Sequence, residues 1–126
     1  MLFAILARII VGLGIAALAA LIAKGIFLTV KKFVDTLKEK LSAKVGGTVF
    51  VGNMKRVAQE GIEEAKRKGR TKKIEELEEL LEKGGIAVAV ADENNNIDKD
   101  DIKIYQDIDD NIYEMLDEDG MLVATA

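Results

Sequence analysis

The sequence contains no cysteine, no histidine, no proline and no tryptophan, and aromatic residues make up only 5% of its 126 positions. Without cysteine there is no disulfide framework and no thiolate chemistry. Without histidine as well, structural zinc sites and the commonest acid–base and nucleophilic catalysts are excluded. Catalysis would have to run on carboxylates, lysine or tyrosine, and no set of these amounts to an active site. The chain reads as non-enzymatic and as needing no cofactor. Internal repeats and flexible linkers are also missing.

What the sequence does have is an apolar beginning. Met1 to Val30 is broken only by Arg8 and Lys24. The strictly uncharged run, Ile9 to Ala23, is 15 residues long. Crossing ~30 Å of hydrocarbon takes roughly 20 helical residues, so a span of about Ile5 to Leu28 is expected, with Arg8 and Lys24 reaching the headgroups from its two ends. A cleaved signal peptide fits less well, because the positive charge comes late and no polar region precedes the alanine-rich stretch. An interfacial helix would need a polar face that two charges do not make. Lys31, Lys32, Lys38, Lys40 and Lys44 follow the span, so the positive-inside rule places the C-terminal part in the cytoplasm. Gly12, Ala16 and Ala20 recur every four residues, with Ala23 beside them. Such a stripe of small residues lets helices in lipid pack closely and self-associate.

The helical pattern continues past the span. Ile26, Val30, Phe33, Val34, Leu37, Leu41 and Val45 recur at three- and four-residue steps, and Gly46-Gly47 ends the run. This predicts an amphipathic stalk leaving the bilayer, whose apolar stripe needs either its own domain or a neighbouring subunit. The expected organisation is therefore α+β: a transmembrane helix and stalk over residues 1–45, then one small domain over residues 48–126. In that domain Thr48 to Val51 is β-like, a helix runs from Met54 to about Lys68, and a second runs from Thr71 through Lys83 with Ile74, Leu77, Leu80 and Leu81 on its apolar side. Ile86 to Ala91 is a strand uncharged on both faces, hence buried. Asp92 to Asn96 is turn chemistry, and Ile102 to Tyr105 returns as a second strand. A short helix through Ile108, Ile112, Met115 and Leu116 and a last strand, Met121 to Thr125, complete a helix-helix-strand-strand-helix-strand order.

Three motifs invite chemistry. Gly12-Leu-Gly14-Ile-Ala-Ala17 has the outline of a dinucleotide-binding loop, but the helical pattern runs on and supplies no parallel crossover. Asp92, Asn94, Asn96 and Asp98 are spaced like the oxygen ligands of a calcium loop. Ile97 stands where glycine is needed and Lys103 where the bidentate glutamate is needed, so a solvated hairpin turn is the better reading. Lys66-Arg67-Lys68, with Arg70, Lys72 and Lys73, is the densest basic run and suits lipid headgroups or an acidic partner, as do Lys31, Lys32 and Lys38. Nucleic acid is a poor fit, because no aromatic residues interleave for base stacking.

Net charge is −4, but residues 1–73 carry 15 Lys/Arg against 5 Asp/Glu, and residues 74–126 carry 3 against 17. Opposite halves of this kind offer complementary faces between subunits. The sequence as a whole points to a single-span membrane protein that serves as a structural component of an ordered homo-oligomer or lattice. It would be a cellular scaffold or a minor protein of a membrane-containing virion, with other proteins of the same assembly as further partners. Two rival expectations are a pore of holin or toxin type and a membrane-tethered adaptor with an acidic partner-binding domain.

Overall fold

The computed structural model describes residues 6, 8, 9, 12, 19–43, 46–69, 74, 75, 78, 79, 83–94, 96–118 and 120–125. Its elements in chain order are α1 (Val30–Ala43), β1 (Thr48–Asn53), α2 (Met54–Arg67), β2 (Ile86–Ala91), β3 (Ile97–Tyr105), α3 (Asp110–Glu114) and β4 (Met121–Thr125). The strands form one sheet in the order β3-β2-β1-β4. Every neighbouring pair is antiparallel.

The alternation along β2, Ile-Ala-Val-Ala-Val-Ala, decides what each face of the sheet can hold. Ile86, Val88 and Val90 lie on one face with Val49 and Val51, and α1 packs there through Phe33, Leu37 and Leu41, with Ile112 of α3 beside it. Ala87 and Ala89 lie on the other face with Phe50, Ile102 and Ile104, and α2 packs there through Met54, Val57 and Ala65. The small side chains leave room for Phe50 and for a helix to approach closely. Phe33, Phe50 and Met54 are completely buried, each contributing ~1.5–3 kcal/mol by removal from water.

Both long helices begin at side-chain caps. Lys32 N–H donates to Thr29 Oγ1 at 3.2 Å ahead of α1. Lys55 N–H donates to Asn53 Oδ1 at 2.9 Å at the start of α2, in the manner of residues that satisfy free N–H groups at a helix start. Lys66 and Arg67 close the last turn of α2, where positive charge complements the helix dipole. Arg67 pairs with Glu64 at the same end.

The transmembrane helix expected from the sequence, continuing unbroken into a stalk, is overturned. No helix among the described residues is long and apolar enough to cross a membrane. The uninterrupted helix fails at Lys24-Gly25, a turn in which Gly25 takes φ +72°, a conformation open chiefly to glycine. Around that turn the chain runs parallel to the outer side of β3. Ile22 bridges to Ile104 and Leu28 to Ile108. Ala23 N–H donates to Ile104 O and Leu28 N–H to Asp107 O, each at 2.8 Å, and Asp109 N–H returns a bond to Leu28 O at 2.9 Å.

Among the described residues of this segment Leu6, Ala23 and Leu28 are buried inside the protein, whereas Ile26 and Phe27 remain exposed. Leu6 is fully buried in the core of the α2 face, with Ile9, Leu21 and Ile22 packed against the same core. The stalk is α1, and its stripe of Val30, Phe33, Leu37 and Leu41 meets the sheet of its own chain. Mixed helix and antiparallel sheet remain, but Thr48–Asn53 is a full inner strand between β2 and β4, which the expected element order had omitted. Of the helix expected over residues 71–83, Ile74, Glu75, Glu78, Glu79 and Lys83 are helical. Thr71, Leu77, Leu80 and Leu81 lie outside the described residues.

Candidate interaction surface

The residues singled out in the sequence do not converge on one site. Of the small-residue stripe, Gly12 and Ala20 are exposed, Ala23 is buried beside β3, and Ala16 lies outside the described residues. Lys31, Lys32 and Lys38 are exposed on α1, whereas Lys66, Arg67 and Lys68 are exposed at the end of α2. Because α1 and α2 cover opposite faces of the sheet, these two groups of cations do not make one basic patch. Arg70, Lys72 and Lys73 lie outside the described residues.

The acidic loop between β2 and β3 spends its oxygens on its own backbone. Asp92 Oδ1 accepts from Asn94 N–H and Asn96 N–H, each at 2.9 Å. Asp98 Oδ1 accepts from Asp100 N–H at 3.0 Å. This is turn chemistry, in which a short carboxylate holds nearby amides. Among the described residues no group of three or more His, Cys, Asp and Glu is placed to hold a metal ion. A cavity of about 130 Å³ lies where Lys40 and Ala43 of α1 meet Val90 and Asp101, small beside the ~300–1,000 Å³ of small-molecule pockets.

Tyr105 and Tyr113 are both built into the framework. Tyr113 Oη accepts from Gly85 N–H at 3.0 Å, tying α3 to the start of β2. Burial pushes the Tyr105 hydroxyl above its ordinary value near 10, Glu39 of α1 adds to the rise, and a hydrogen bond with Thr36 opposes it.

The feature that stands out is the contrast between the two edges of the sheet. β3 carries Asp98, Lys99, Asp100 and Asp101, and its far end is covered by residues 22–28. Charge and cover are the usual means of keeping an edge from pairing with other strands. β4 reads Met-Leu-Val-Ala-Thr, without a charge. It is the last strand of the sheet, and among the described residues no further strand pairs with it.

The hydrogen-bond register shows which β4 groups face outward. Asn53 N–H donates to Gly120 O, and Met54 N–H donates to Gly85 O, so β1 bonds alternately to its two neighbours. In an antiparallel ladder this alternation turns Leu122 and Ala124 toward β1 and leaves Met121, Val123 and Thr125 bonding away from it. Met121 confirms the direction. Its N–H donates to Asp117 Oδ1 at 3.0 Å, and its carbonyl accepts from Asp117 N–H at 2.7 Å. The outward groups of Val123 and Thr125 are the open part of the edge, and the Val123 side chain is 49% exposed. None of these residues was named as a site from the sequence. The available signal was an uncharged pentapeptide following the acidic run Asp117 to Asp119 and Gly120. No family model matches the chain, and neither the curated proteins nor the solved structures include one that is significantly similar.

Proposed function

We propose that the protein is a non-enzymatic structural component that assembles with itself into an ordered oligomer, using the open β4 edge for contact. The observation that carries this reading is an edge strand with outward-facing backbone groups and no charge, in a sheet whose other edge is guarded. Strand addition at such an edge gains main-chain hydrogen bonds without needing a pocket. The lack of histidine and cysteine supports a role in assembly over one in catalysis. The single-span anchor anticipated from the first thirty residues has no place in this proposal.

The test is the mass of the full chain by light scattering over a range of concentrations, beside Val123→Lys. The expected result is a defined multimer for the parent and a shift toward monomer for the variant, because a lysine on an edge strand opposes further pairing. A parent chain that stays monomeric at every concentration would overturn the reading.

A further inference from the structure

We infer that the partner at this edge is a second copy of the chain, paired antiparallel through β4 about a two-fold axis at Ala124. The inference rests on β4 being the assembly edge and adds the occupant and the register. An isologous contact brings the same surface onto itself, so in a chain of net charge −4 it favours a patch where like charges do not meet. β4 is such a patch. A β3–β3 contact would instead set the Asp98, Asp100 and Asp101 region against its own copy, which is unfavourable for directly opposed strands.

The register follows from the outward groups. Antiparallel self-pairing has to place outward-bonding residues opposite one another. With the axis at Val123, Thr125 would meet the partner's Met121, whose N–H and carbonyl are already held by Asp117. With the axis at Ala124, Val123 meets the partner's Thr125 and Thr125 meets the partner's Val123. The free donors and acceptors of both copies are then used, and Asp117 keeps its bonds. Asp117 thus selects the register.

The side chains agree with this choice. Val123 lies on the Phe50 face and is half exposed, and a Val–Thr cross-strand pair would cover it. Ala124 would meet the partner's Ala124 at a non-hydrogen-bonded position, where Cα atoms approach to ~4.5 Å. The result is one continuous sheet through both copies, with both α1 helices on the same side.

Because the chain has no cysteine, single-cysteine variants of the full-length protein report the register cleanly. Ala124→Cys is expected to form a disulfide-linked dimer under mild oxidation, and Val123→Cys is not, because its counterpart stands diagonally across the ladder, outside disulfide reach. Thr125→Pro removes an outward N–H and no bond to β1, so far-UV dichroism should be unchanged while dimer affinity falls by roughly thirtyfold. Preferential linking of Val123→Cys would overturn the register. A dimer by light scattering that links at neither position, or that Thr125→Pro leaves as tight as before, would overturn the β4 contact and place the interface elsewhere on the chain. Absence of any multimer would remove the assembly reading itself.

Discussion

Gly85 takes φ +91° at the entry to β2, and a Cβ built on it would lie 2.0 Å from Tyr105 O and 2.7 Å from Gln106 Cα. Both are backbone atoms of the neighbouring strand and its exit, so neither can swing aside. Gly85→Ala therefore adds a steric conflict to the cost of a left-handed conformation, and denaturant unfolding should show a loss of at least ~3 kcal/mol. At the same scale, Tyr105 gives the protein a pH dependence of known sign. Its hydroxyl titrates above the ordinary value near 10, because burial and Glu39 disfavour the phenolate. The folded state therefore holds that proton more tightly than the unfolded state. This contribution to stability is full below the unfolded value and is lost as pH rises through the folded one. Unfolding measured at increasing pH from 9 upward should show a decline that is smaller in Tyr105→Phe, and absorbance at 295 nm should place the phenolate transition of Tyr105 above pH 10. A parallel decline in parent and variant would show that Tyr105 is not its source.

At the scale of elements, the same apolar pattern serves two different environments. Val30, Phe33, Leu37 and Leu41 read as the stripe of a stalk in the sequence, and α1 places them against the sheet. The residues before α1 behave likewise: they run parallel beside β3 and its continuation, with Ala23 and Leu28 as donors. The amide protons of these two residues are expected to exchange as slowly as those of β3, within about tenfold, because they open only when the segment leaves the sheet. Exchange at the rate of an unstructured peptide would contradict this placement. α1 was legible as a helix because its period is local. The end of the preceding run was not, because one glycine at positive φ decides it and the apolar residues around it favour a helix of any length.

On the scale of the whole molecule, the basic first half and the acidic second half interleave at one place among the described residues. Asp109 bonds to Leu28, and α3 packs near α1, so the acids of residues 107–110 lie beside the start of the lysine-bearing helix. Long-range steering of a partner by a bipolar field is weakened by that interleaving. Contact then depends on the shape and hydrogen bonding of particular edges, of which β4 is the open one. Val123→Lys acts at this scale: the side chain it replaces is 49% exposed. Monomer stability should therefore change by no more than ~0.5 kcal/mol while the assembly is lost.

By itself the sequence determined the elements that local chemistry specifies. The buried strand β2, the helix beginning at Met54, the Asp92 turn and the lack of thiol and imidazole chemistry were all legible from the residues themselves. Tertiary structure alone decided where residues 22–28 go, because a hydrophobic run is equally content in lipid or in a protein core, and only long-range pairing with Ile104 and Ile108 distinguishes the two. It likewise decided which strand is left at an edge. Strand order depends on contacts far apart in the chain, and the outward direction of Val123 and Thr125 depends on which backbone groups β1 has already taken.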